Sequence, residues 1–180
     1  MKKAKRGRSG LASVRFLQRI RLIVFDFDGV FTDNGVLVGE DGAEFVLCNR
    51  ADGLGVTHLR RQGVECMVLS TETNAVVSKR CEKLKLEYCQ GISDKWPALK
   101  EILKEKRIDP ADVAYVGNDI NDLDCMKNVG VAICVADAYP EVKSAAHFVT
   151  SRPGGKGAVR EICDLIMRAK KGGSAGATYV

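Results

Sequence analysis

Residues 21–33 read Arg21-Leu22-Ile23-Val24-Phe25-Asp26-Phe27-Asp28-Gly29-Val30-Phe31-Thr32-Asp33. The apolar run 21–25 stops at two carboxylates spaced i, i+2. A short run rich in Val and Ile, bounded by turn residues, suits a strand buried on both faces. In an open parallel sheet, ligands gather beyond the carboxyl ends of such strands. Two carboxylates there point the same way and crowd their charge, which calls for a cation, a shared proton or a neighbouring base. Hard oxygen donors favour Mg2+. A carboxylate held beside Mg2+ can accept a phosphoryl group as an aspartyl-phosphate. Its neighbour can protonate the leaving alkoxide and later deprotonate water. Taken alone, the pair is equally an acidic turn that caps a strand.

Outward from this stretch the pattern repeats. Residues 64–69 (VECMVL), 113–116 (VAYV) and 129–135 are further short apolar runs. Between them, helical periodicity marks 52–61, 74–85, 94–106, 119–128 and 156–169, with Asn74 as a candidate N-cap. Strands alternating with helices of this length predict an α/β fold: a three-layer sandwich with a mostly parallel sheet and helices on both faces. One segment breaks the rhythm. Residues 36–47 (VLVGEDGAEFVL) are two β-prone runs around Gly39-Glu40-Asp41-Gly42, the signature of a β-hairpin.

The junctions after the other strands carry what the carboxylate pair needs. Ser70 and Thr71 close the second run, and Ser70 can donate to a phosphate oxygen. Lys95 opens a helix and can neutralise the nucleophile and the phosphoryl oxygens. Gly117-Asn118-Asp119-Ile120-Asn121-Asp122 follows the third run and offers further oxygen donors. Each has a plain structural explanation: a strand-end turn for Ser70, a surface charge for Lys95, a helix cap for Asn118 and Asp119. Four such groups in order at consecutive αβ junctions are hard to explain by capping alone.

Composition sets the outer limits. The 180 residues, 46% hydrophobic and 28% charged, suit one ordinary globular domain. No apolar run reaches the ~20 residues of a membrane span. The formal charge of +5 is unevenly placed: Lys2, Lys3, Lys5, Arg6, Arg8, Arg15, Arg19 and Arg21 are eight bases with no acid among them. Removing them leaves 20 bases against 23 acids, a net of −3. Basicity is thus concentrated in residues 1–21, chiefly in an N-terminal arm at 1–19, and nucleic acid is not an expected partner. The seven cysteines form no CxxC and sit mostly in apolar runs, which suits a reduced, cytoplasmic protein rather than a zinc site. An uncharged Gly- and Ala-rich tail, 172–180, follows the domain at 20–171.

The order DFDGVFTD, LST, DK, GNDIND resembles the haloacid dehalogenase-like phosphohydrolases, over roughly residues 20–168. The resemblance implies Asp26 as nucleophile and Asp28 as general acid/base. It also implies Ser70 and Lys95 as phosphoryl ligands, and Mg2+ held by Asp26, the carbonyl of Asp28 and Asn118. The family usually has Asp where this chain has Asn118. An amide oxygen still ligates Mg2+ but removes one charge, for which Asp119 and Asp122 can compensate.

Larger members of the family carry a cap domain after the first or second motif. Only 44 residues separate Asp26 from Ser70 and 25 separate Ser70 from Lys95, so no cap fits. The hairpin and the 49–55 and 152–161 stretches resemble the small capless phosphatases of phosphorylated sugar acids. These act on 3-deoxy-D-manno-octulosonate 8-phosphate or on nonulosonate 9-phosphates of the KDN and N-acetylneuraminate type. The same stretches are similar to a domain of animal CMP-sialate synthetases, in which Asn at the Asn118 position is common and the role is assembly. The resemblance implies a homotetramer built through the hairpin flaps. It implies a sugar-contacting set of Asn49, Thr71, Glu72, Thr73, Asn74, Arg80 and Lys83, with the tail reaching an adjacent site. Glu72 together with Lys83 points to the nine-carbon substrates ahead of the eight-carbon one.

Overall fold

The computed structural model describes residues 10–172; the outer arm at 1–9 and the tail beyond Gly172 lie outside the described residues. The central strands form because their residues are apolar on both faces. β1 (Leu22–Phe25), β4 (Glu65–Leu69), β6 (Val113–Gly117) and β7 (Val131–Cys134) are buried along almost their whole length. With β5 (Glu87–Cys89) and β8 (Phe148–Val149) they make one six-stranded sheet, ordered β5-β4-β1-β6-β7-β8. Every neighbouring pair in it is parallel. The edges are the short strands, as expected where unpaired backbone must be kept small.

The helices cover the sheet in two layers. α7 (Ala158–Lys170) packs against α2 (Arg50–Arg60) and α1 (Gly10–Arg19). α4 (Lys95–Lys106), α5 (Leu123–Asn128) and α6 (Pro140–Ala145) form a second group, and α3 (Ala75–Leu84) lies against β5. The α2–α7 contact is close because Gly55 has no side chain: a Cβ there would stand 3.0 Å from the Cα of Arg160 and 3.2 Å from the Cβ of Cys163. Asp52, one turn earlier and fully buried, accepts the Arg160 amide at 3.0 Å and so caps the first turn of α7.

Several expectations needed refinement. Residues 10–19, read as part of a basic arm, form α1, with Leu17 buried and Gln18 Nε2 donating to the Ala169 carbonyl. α2 begins at Arg50, because the Asn49 side chain accepts the Ala51 amide and starts the helix two residues early. The helix expected at 119–128 divides into a 3-10 turn, Ile120–Asp122, and α5. α6 and β8 are additions: each is too short for its periodicity to stand out.

The hairpin is β2 (Thr32–Val38) with β3 (Glu44–Cys48), antiparallel and separate from the main sheet. It is longer than 36–47, since Thr32 pairs with Cys48 and the register shifts between Thr32 and Val36. Asn34, at φ 64°, supplies the irregular residue there. Among the described residues there is no cap domain. The β3 residues Glu44 and Val46 are half-buried, whereas Leu37, Phe45 and Leu47 are 70%, 61% and 61% exposed.

Candidate active site

The site stands at the carboxyl ends of three adjacent strands, β4, β1 and β6. Asp26 follows β1, and its amide donates to the Val116 carbonyl of β6, which fixes the chain as it leaves the sheet. The next residues fold back in a tight loop, with Phe31 and Thr32 amides returning to the Phe27 carbonyl. Gly29, at φ 74°, is required here: a Cβ would overlap the side-chain nitrogen of Asn118.

Lys95 organises the interior. It is the first residue of α4 and is buried, 2% exposed as a whole residue. Nζ lies 2.8 Å from Asp26 Oδ1 and 2.8 Å from Asp122 Oδ1. Asp122 is fully buried and saturated. Its Oδ1 also accepts the Tyr115 hydroxyl at 2.8 Å, and its Oδ2 accepts the amides of Asn118 at 2.9 Å and Asp119 at 3.3 Å. Asp122 therefore shapes the turn that presents Asn118. Burial, and then the charge of Asp122, push the Asp26 carboxyl up to about 7 against the pull of Lys95. Asp28 is raised as well, by burial and by Glu72. Burial works against the charge of Lys95, but Asp26 and Asp122 outweigh it and its pKa is raised.

The residues present fit Mg2+. Asn118 is 6% exposed and its Oδ1 has no hydrogen-bond partner, an acceptor left for a cation. Asp26, Asp28 and Asn118 share one cavity wall, a donor set of hard oxygens. Among the described residues no trio of His, Cys, Asp or Glu side chains forms a metal cluster, since the third donor here is an amide.

The cavity holds about 340 Å3. Its walls are Asp26, Asp28, Asn118, Asp119 and Asn121 at the sheet, Thr71, Glu72 and Val76 on the β4–α3 side, and Asn34, Gly35, Val36, Glu44 and Val46 on the hairpin. Ser70 is buried just behind, its Oγ accepting the Glu72 amide at 3.0 Å. Of the expected sugar-contacting residues, Thr71 and Glu72 line the wall; Asn49, Thr73, Asn74, Arg80 and Lys83 do not. The side chain of Asn49 caps α2 and its carbonyl accepts Arg80 Nη2 at 2.9 Å. Asn74 caps α3 through the Val76 amide.

Thr32, Glu44 and Tyr115 escaped the sequence reading. Thr32 Oγ1 accepts the amides of Gly29 and Asn34 and donates to Asp28 Oδ1 at 3.4 Å, so it steadies the proposed acid. A signal existed for Tyr115: a phenol within an otherwise apolar central strand must find a buried partner. Glu44 had none, because only the hairpin's docking decides which of its faces meets the cavity.

Residues 70–162 match the profile of the haloacid dehalogenase-like hydrolases. The chain is 37% identical over 154 residues to the 3-deoxy-D-manno-octulosonate 8-phosphate phosphatase of Escherichia coli K12, covering 85% of this chain and 82% of that enzyme. Among solved structures, that of the Yersinia pestis enzyme of the same name superposes with a TM-score of 0.86 at 36% identity, covering 93% of this chain and 90% of the other. The Moraxella catarrhalis enzyme, determined with magnesium, phosphate and KDO, gives 0.85 at 30% identity, covering 88% and 91%. The motif order, the carboxylate–lysine interior and these likenesses agree: the chain belongs to the haloacid dehalogenase-like hydrolases and, among them, is a Mg2+-using phosphatase.

Proposed function

We propose that the chain hydrolyses a phosphorylated acidic sugar, with 3-deoxy-D-manno-octulosonate 8-phosphate as the leading substrate. The observation that carries this reading is the extent of likeness: relatives acting on that compound match over 85% of the chain, hairpin included. Asp26 is the proposed nucleophile. Its attack on phosphorus gives an aspartyl-phosphate and expels the sugar alkoxide, which takes a proton from Asp28. Asp28 then deprotonates the water that cleaves the acyl phosphate. Lys95 and Ser70 hold phosphoryl oxygens. When bound by Asp26, the Asp28 carbonyl and Asn118, Mg2+ supplies the positive charge that an acidic cavity needs to receive a phosphate. The complete set of nucleophile, acid and lysine favours catalysis over a purely assembling role.

A second substrate reading, a nonulosonate 9-phosphate, is favoured by Glu72, which reaches the cavity wall with Oε1 held by the Thr73 and Asn74 amides. Phosphate release from both classes by purified protein with Mg2+ decides between them. The higher kcat/KM is expected for the octulosonate ester, with Asp26→Asn inactive; no Mg2+-dependent turnover of any sugar-acid phosphate would overturn the proposal.

The proposed assembly is a homotetramer joined through the hairpins, in the cytoplasm, with 20–171 as the catalytic domain. Support comes from the outer face of the hairpin, where Leu37, Phe45 and Leu47 put an apolar patch into water. Lys83, exposed and outside its own cavity wall, is then available to a neighbour's, whereas Arg80 is engaged by the Asn49 carbonyl. No helix among the described residues is long and apolar enough to cross a membrane. Light scattering at micromolar concentration should give four times the monomer mass, and Phe45→Asp should lower it; a monomeric wild type would refute the assembly.

A further inference from the structure

The cavity has two ends. Asp26, Asp28 and Asn118 form the inner one, where the phosphoryl group is worked on. The outer end lies between the hairpin and the start of α3, where Thr71 and Glu72 are the members of the expected sugar-contacting set that line it. Glu44 stands in this outer wall. It is the first residue of β3, and Val46, two positions on, lines the same cavity, so the two share one face of the strand. Its carboxylate is held. Oε2 accepts Asn74 Nδ2 at 2.9 Å, and Asn74 Oδ1 accepts the Val76 amide at 3.0 Å as the cap of α3. Asn74 thereby has both ends of its amide engaged and acts as a bracket between helix and hairpin. Oε1 of Glu44 makes no hydrogen bond within the described residues.

We infer that Glu44 is a specificity-determining residue that accepts hydroxyl protons from the polyhydroxylated chain of the substrate, with Asn74 as its positioning residue. A fixed carboxylate oxygen with free lone pairs is a strong hydroxyl acceptor. The same charge repels a second anion, so it turns the substrate's own carboxylate away from this wall. The sugar acid in this inference rests on the proposed function; the hydroxyl recognition rests on Glu44 alone.

The test compares wild type with Glu44→Gln on a sugar-acid phosphate and on p-nitrophenyl phosphate, which has no hydroxyl to donate. Gln keeps the shape and an oxygen for Asn74, so the hairpin stays bracketed; melting temperatures check this. Expected is an about tenfold fall in the ratio of kcat/KM between the sugar-acid phosphate and p-nitrophenyl phosphate, carried by KM rather than kcat, the size of a lost charged hydrogen bond. An unchanged ratio, whether both substrates slow together or neither does, overturns the inference. If wild type turns over no sugar-acid phosphate, the substrate reading falls, and the Glu44 ratio is read instead with sorbitol 6-phosphate, by the same criterion.

Discussion

Replacing Lys95 by Met keeps the volume of the side chain and removes its charge from between two buried carboxylates. In the wild type Nζ touches Asp26 and Asp122 at 2.8 Å each, with 1% of the lysine side chain exposed. Removing one partner of a buried ion pair costs about 3–5 kcal/mol, because the remaining charge has neither water nor a counterion. For a chain of this size that corresponds to a fall in Tm of roughly 6–20 °C. The deficit has a definite pH dependence. Asp26 already titrates up at about 7 with the lysine present, raised by burial and by Asp122. Without the lysine its folded pKa moves further from the unfolded value, so the folded state binds the extra proton. Stability is then recovered as pH falls below 7 and lost as it rises. Chemical denaturation in EDTA at pH 5.5 and pH 8 measures both values, and phosphate release reports the loss of turnover. A deficit under 1 kcal/mol, or an equal deficit at the two pH values, would refute the assignment of Lys95 as counterion to both carboxylates.

Gly55→Ala should destabilise by about 1–3 kcal/mol through overpacking of α2 on α7, despite the better helix propensity of Ala; a denaturant midpoint at or above wild type would contradict the packing. Asp52 is buried and its carboxyl is raised to about 6 from 3.8, chiefly by burial. This group's contribution is full below pH 3.8 and lost as pH rises through 6, by at most about 3 kcal/mol. Asp52→Asn keeps an acceptor for the Arg160 amide and should flatten that part of the stability profile between pH 4.5 and 7.5; an unchanged slope would count against it. Asn118→Asp adds a charge to the donor set and should tighten Mg2+ binding several-fold by calorimetry, while equal or weaker binding would remove Asn118 from the set.

The distribution of legible and hidden features follows from the range of the forces. Strands β1, β4, β6 and β7 were legible because burial on both faces writes a continuous apolar run into the chain. The acidic and hydroxylic ends of those strands were legible for the same reason, since a charge that ends a buried run is conspicuous. Asp26, Asp28, Ser70, Asn118 and Asp122 follow from that punctuation, and Lys95 from its place at the start of a helix. The cap at Asn74 was legible as a candidate helix start, and the structure shows it; that of Asn49 was not, because a residue that begins a helix suits both a cap and a ligand. Thr32 and Tyr115 became meaningful only when their hydroxyls were seen against Asp28 and Asp122.

Local sequence therefore determined the α/β class, the order of the proposed catalytic groups and the lack of room for a cap, because each depends on the periodicity or length of one segment. Tertiary structure decided what depends on distance between segments. It put Lys95 between Asp26 and Asp122, left Asn118 Oδ1 without a partner, and turned Glu44 towards the cavity while exposing Leu37 and Phe45. A strand's alternation specifies two faces but does not say which will meet the site; only the packing of the hairpin against α3 makes that choice.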